Sequence, residues 1–226
     1  MPTTLPELLA KVLPLAFGAA ISPVILLLEM VTLTTGTARL RRAWLVAAGA
    51  AAALAAWGVA GWLLINHLPT PRRGPDPTAG AVDLTLALVL VALGLRSLAH
   101  RHDPPPMPTT ATTTPSASPH LAAAFGLGVV AMASNVTSVV LFLPAVRDIA
   151  RSSVTTPGTA VALAVLFAIT LAPALLPVLA VSLGGAAGQR ALDRVGAFAQ
   201  GHHETIVAVV SFGFAVYLGW TGLRRL

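Results

Sequence analysis

The sequence predicts an all-α integral membrane protein of six transmembrane helices, arranged as two inverted three-helix repeats with helices 1 and 4 interrupted. Three observations carry that prediction. Of 226 residues, 56% are hydrophobic and only 10% are charged, and the mean hydropathy is +0.82. A soluble domain carries about 25% charged residues, so this chain has too little charge to cover a globule in water. Six apolar runs occupy 13–33, 43–65, 81–98, 121–146, 159–183 and 205–223. Each is near or above the ~20 residues a helix needs to cross ~30 Å of hydrocarbon with its backbone groups satisfied internally. The third observation is a matching polar or proline interruption in the first run of each half, at Ser22-Pro23 and at Ser134-Asn135.

The first run contains LAFGAAISPVILLLEM. Pro23 has no N–H and its ring clashes with the preceding turn, so the helix kinks or breaks near Ser22. Glu29 follows within the same apolar run, where a carboxylate needs a partner, a proton or water. It reads as a proton-coupling group, as a cation contact, or as an interfacial partner of Arg39 or Arg42. The segment before this run lacks a basic n-region, carries Glu7 and shows no cleavage site, so the first helix is expected to remain in the mature protein.

Runs two and three are uninterrupted. The cluster Arg39, Arg41 and Arg42 precedes the second, and Asp83 and Arg96 mark the ends of the third as interfacial anchors. The Pro/Thr/Ser-rich stretch 101–119 has no apolar periodicity and reads as a linker. It divides the chain into a first repeat (1–100) and a second (120–226).

The fourth run contains AAFGLGVVAMASNVTSVVLFLP, and placing Ser22-Pro23 on Ser134-Asn135 aligns SPVILLL with SNVTSVV. Asn135 competes for backbone hydrogen bonds in a helix interior, and Ser134, Thr137 and Ser138 surround it. With three spans per half, a duplication would place the second half upside down, a common transporter plan. A broken helix exposes N–H and C=O groups that bind ions or polar substrate groups. The plainer alternative is that Pro23 shapes packing and Asn135 bridges helices. Arg147-Asp148 marks the end of this helix.

In the fifth run, Pro173 and Pro177 are expected to kink the helix, serving a gate or packing. Between runs five and six, Leu192, Val195 and Phe198 stand at helical spacing between Arg190, Asp193, Arg194 and Gln200. That pattern predicts a short interfacial amphipathic helix near 186–200. His202-His203-Glu204 lacks a third ligand, so no metal is expected, and Glu204 suits a helix N-terminus. Gly219 and Gly222 suit close helix contacts in the sixth run.

The net charge of +6 comes from 14 Lys+Arg against 8 Asp+Glu. The arginines form short groups between apolar runs and no continuous basic face, which argues against nucleic acid and for membrane lipids as partners. The absence of cysteine excludes disulfides and thiol chemistry. Basic residues divide evenly between the two sides of the membrane. The Arg39-Arg41-Arg42 cluster tips that loop towards the cytoplasm, with both termini outside. No zinc signature, nucleophile elbow or phosphatase motif is present, so neither enzyme activity nor a cofactor is expected.

The segments GAAISPVILLLEM, SNVTSVVLFLPAVRDIA and ETIVAVVSFGFAVYLGWTGL resemble the GAP family of glycolipid- and sulfolipid-addressing proteins, in the lysine-exporter (LysE) superfamily. The resemblance runs from about residue 13 to 223, the linker excepted. It implies six helices in two inverted halves and export of a lipid-like or small polar solute across the inner (plasma) membrane. It also leaves open a non-transporting accessory role in a glycolipid-export complex, and a homo-oligomer such as a dimer. The family's Ser-Pro maps onto Ser22 and Pro23. Its Asn-Pro maps onto Asn135, with Val136 in place of the proline and Thr137 in place of the basic residue that follows. These departures speak against a sharp second break and against carrying over an anion-binding role.

Overall fold

A computed structural model describes residues 4–21, 23–34, 38–67, 77–99 and 121–224. The described residues are helical apart from caps and turns: α1 (Leu5–Ala20), α2 (Pro23–Thr34), α3 (Arg39–His67), α4 (Pro77–Ala99), α5 (Leu121–Ala133), α6 (Val136–Ala150), α7 (Thr156–Thr170) and α8 (Ala172–Leu223). The linker 101–119 lies outside them. Four stretches, Arg39–Ile65, Gly80–Ala99, Ala172–Phe198 and Glu204–Leu223, are each long and apolar enough to cross a membrane. The α1–α2 pair is bent by 50° and the α5–α6 pair by 70°. With each bent pair counted as one span the total is six, and the chain is an all-α, multi-pass membrane protein.

The apolar run over 159–183 is divided in the structure. Helix α7 closes at Leu171, whose N–H donates to the Phe167 carbonyl at 2.9 Å, and α8 starts at Ala172. Pro173 therefore falls in the first turn of α8, where its missing N–H has no helical acceptor to lose. Pro177 lies inside α8 without ending it; the helix departs from helical geometry at Gly185 instead, with φ 51° and ψ −126°. Only glycine adopts such angles at little cost.

Tight crossings hold the bundle together. Where α3 meets α5, a Cβ on Gly49 would strike the Phe125 carbonyl oxygen and one on Gly128 the Val46 carbonyl oxygen. The backbones there approach as only glycine permits. Helix α4 lies along the last part of α8, with the Phe212 ring over Gly94 and Leu84 against Gly222. The Ser97 hydroxyl donates to the Glu204 carbonyl at 3.0 Å across the same contact. The two halves exchange roles in their packing: α1 lies on α7 while α5 lies on α3, and α2 packs on α3 while α6 packs on α7. Leu15, Leu54, Phe142 and Leu166 form the shared core, and Phe142 meets Phe167 edge-on with centroids 5.3 Å apart. Large apolar side chains such as Leu64, Leu88, Val130 and Val216 face outward, the surface lipid requires.

Candidate functional site

Each bent pair is joined by two residues, Ile21-Ser22 and Ser134-Asn135. Helix boundaries therefore align Ser22 with Asn135, one residue away from the sequence alignment of Ser22 with Ser134. Ser22 itself lies outside the described residues. Pro23 opens α2 at the position where proline suits a helix. Ile21, the first residue of its joint, adopts φ −75°, ψ 77°, and Asn135, the second residue of its own, adopts φ −79°, ψ 80°. Both are inverse γ-turn values, so each joint holds one such residue, at different places within the two-residue break.

The second break is sharp although it lacks the family's proline. Asn135 caps α6, its Oδ1 accepting from the Ser138 N–H at 3.3 Å, which satisfies a donor the helix start leaves free. The Val136 N–H donates to the Ser134 carbonyl at 2.9 Å and closes the turn. An asparagine cap and a γ-turn thus do what proline does elsewhere. The Ser134 hydroxyl is exposed and bonds back to the Val130 carbonyl at 2.7 Å; Asn135 and Thr137 are half-buried.

One hydrogen bond joins the two breaks. Ser138, in the first turn of α6, donates its hydroxyl to the Ala19 carbonyl at 2.6 Å, and both residues are buried. Ala19 lies in the last turn of α1, where carbonyls have no helical donor. The start of one half-helix therefore satisfies the end of another 119 residues away. The flanks of the junction differ in openness: Ile21 and Ser134 are exposed, whereas Gly18 is closed over by Phe214 and Leu141.

Glu29 sits on the inward stripe of α2 with Ile25 and Leu33, and is fully buried. Among the described residues neither carboxyl oxygen has a hydrogen-bond partner. Among the described residues it makes no ion pair with Arg39 or Arg42; Glu29 is buried in the bundle, whereas Arg39 is exposed. The hydroxyls of Thr170 and Ser211 are likewise buried without partners.

The structure adds two relations that the sequence did not show. Asp83 and Arg147, read as separate interfacial anchors, pair with each other inside the protein. Arg147 Nη1 donates to Asp83 Oδ1 at 2.7 Å, with the aspartate side chain fully buried and the arginine side chain 10% exposed. Asp148 stands 3.5 Å from the other terminal nitrogen. An aspartate just inside an apolar run was the available signal, because such a group needs a partner at that depth. The amphipathic stretch 186–200 is helical, as expected, and forms part of α8 beyond the bend at Gly185. Leu192 joins a cluster with Leu33 and Val178, and Gly196 lies under Met30, while Val195 and Phe198 are exposed. The i, i+4 pair Leu192 and Gly196 thus docks on α2, and Val195 and Phe198 are left on the outer surface. His202 is exposed, stacked on Phe198, and its Nδ1 lies 3.1 Å from the Phe198 carbonyl oxygen.

No curated protein matches the chain, and no solved structure matches it. The match to the family described as Sap, sulfolipid-1-addressing protein, runs over residues 12–224 and takes in both bent pairs and the Asp83–Arg147 bridge. Covered over almost its whole length, the chain belongs to the Sap, sulfolipid-1-addressing protein, family.

Proposed function

We propose that the chain is an exporter of the inner membrane that moves a lipid-like or small polar solute outward, through inverted repeats of the lysine-exporter superfamily type. The observation that carries this reading is the junction of two broken helices through Ser138 and Ala19. Helix α5 has 13 residues and α6 has 15, about 20 Å and 22 Å at ~1.5 Å per residue. The second break thus falls near the middle of its span, the depth at which transporters of this plan bind their cargo. Two bends meeting there form a joint about which half-helices can swing, and opening it frees helix-terminal groups for a polar ligand. Glu29, enclosed and unpartnered, is the group proposed to carry a proton as the bundle changes shape. Pro173, beside the α7–α8 junction, and Gly185 are the proposed flexing points of the second half. The family's name supports a glycolipid as the cargo class. Neither a catalytic step nor a cofactor is part of this proposal. Orientation follows the positive-inside rule, with the Arg39-Arg41-Arg42 end cytoplasmic and both termini outside.

A second reading has its own observation. The packing of Phe214 and Leu141 around Gly18 fills the bundle beside the junction, as suits an accessory subunit of a glycolipid-export complex. Reconstitution separates the two. The purified chain in liposomes made with labelled cell-envelope lipid moves label between leaflets under a proton gradient if it is the exporter. Transfer that occurs only when other envelope membrane proteins are added assigns the accessory role.

A further inference from the structure

Helix α4 and the last part of α8 are joined from end to end. Gly222 lies against the Gly80 carbonyl and Leu84, the Phe212 ring covers Gly94, and Ser97 donates to the Glu204 carbonyl. The two helices thus form one arm. Towards the rest of the bundle the arm presents Ala87, Leu90, Ala215 and Leu218. In lipid such an apolar seam gains little from burial, because acyl chains are as apolar as leucine and can replace the contact. The Asp83–Arg147 pair is different, since each charge needs the other at that depth. It ties the arm to α6, which packs on α1 and α7 to make the opposing body. Asp83 lies in the second turn of α4 and Arg147 in the last turn of α6, so the pair closes one end of the bundle. The start of α1 and the α6–α7 turn stand at that end. A cavity of about 500 Å³ between them, lined by Thr4, Ser153, Val154 and Thr155 among others, leaves the packing there incomplete. Asp148, on Arg147's own helix, stands 3.5 Å from Nη2 of the same guanidinium, and its side chain is 19% exposed. Arg147 therefore keeps a carboxylate beside it even when Asp83 moves away.

We propose that the Asp83–Arg147 pair is a releasable latch, and that the α4–α8 arm swings away from the α1–α6–α7 body when Arg147 passes to Asp148. The opened end admits water, which hydrates the freed Asp83. That the swing serves as the outer gate of a pathway rests on the export reading and on both termini being outside. The swing itself is measurable without cargo.

The chain has no cysteine, so nitroxide labels can be paired on the full chain in liposomes. Leu88→Cys with Ala164→Cys, both exposed positions, spans arm and body; Leu95→Cys with Leu223→Cys spans the two helices of the arm. Double electron–electron resonance on the first pair is expected to show one dominant distance, with a longer one in about 1% of molecules, as suits a minor state. Asp83→Asn is expected to raise the ratio of longer to shorter about thirty-fold, to about one molecule in four, while the second pair keeps its distance. Arg147→Lys keeps the charge but loses the planar fork that reaches two carboxylates, and is expected to raise the ratio about fivefold. An unchanged distribution in both variants, with circular dichroism of a folded chain, would reduce the pair to a structural contact and overturn the latch. Broadening of both label pairs would mean that α4 parts from α8, and would overturn the arm. Lipid transfer that proceeds with no swing overturns the latch and leaves the export reading. A swing without transfer upholds the latch and overturns the export reading.

Discussion

Asp83→Asn tests the buried ion pair directly. The wild-type contact is 2.7 Å long, with the aspartate side chain fully enclosed and the arginine side chain 10% exposed. Removing one partner of a buried pair costs ~3–5 kcal/mol, because the other charge is left without compensation. Two features reduce that here: asparagine keeps a carbonyl acceptor for Arg147, and Asp148 lies 3.5 Å from the same guanidinium. We expect a loss of about 2–3 kcal/mol, a thirty- to 150-fold fall in the folding constant. Arg147→Met alone should cost at least as much, since it strands Asp83 with no opposite charge. The double variant Asp83→Leu with Arg147→Met should recover to within about 1 kcal/mol of wild type, as apolar replacements of buried pairs do. Unfolding in mixed micelles by titration with denaturing detergent, followed by circular dichroism, measures all three. A change below about 0.5 kcal/mol for Asp83→Asn, or a double variant less stable than either single one, would refute the reasoning.

Three other predictions concern the junction and the crossings. Glu29→Leu should stabilise the bundle by about 1–3 kcal/mol, because it removes a buried group whose oxygens have no donors; a loss in the same micelle titration would mean the carboxyl has a structural partner. Ser138→Ala should cost roughly 1–2 kcal/mol by leaving the buried Ala19 carbonyl bare, whereas Asn135→Ala should cost about 1 kcal/mol as a lost helix cap. The larger loss at Ser138 distinguishes a bond between breaks from a local cap. Gly128→Leu should prevent α3 and α5 from closing, since even a methyl group would meet the Val46 carbonyl; a variant as stable as wild type in the same micelle titration would contradict that crossing.

Much of the fold was legible because lipid demands long apolar runs, and those leave an unambiguous trace. The interruptions at Pro23 and Asn135 were legible too, since neither residue suits a helix interior. Their register was not: the alignment rested on Ser-Pro against Ser-Asn, whereas the helix boundaries match Ser22 with Asn135. Relations between distant residues were also hidden. Nothing local to Asp83 or Arg147 says that α4 and α6 bring them together across 64 positions, and each looked like an interfacial anchor. The amphipathic stretch near 186–200 was legible as a helix, but its docking on Met30 and Leu33 of α2 through Leu192 and Gly196 was not, because that contact joins distant parts of the chain. The helix start at Ala172 and the bend at Gly185 were missed for a related reason. Prolines draw attention in a sequence, but the position that needs a left-handed residue is fixed by where α8 has to turn.

In the proposed export, the junction of the broken helices and the buried Glu29 move cargo outward. Glu29→Gln tests it most directly, because it keeps the shape of the side chain and removes its capacity to exchange a proton. Lipids of the outer envelope and the inner membrane are profiled in cells with the intact chain, the variant, or no copy. The variant, present at normal abundance, is expected to shift the same lipid species from the outer to the inner fraction as complete loss does. A variant profile matching the intact chain, alongside a clear shift on complete loss, would contradict it.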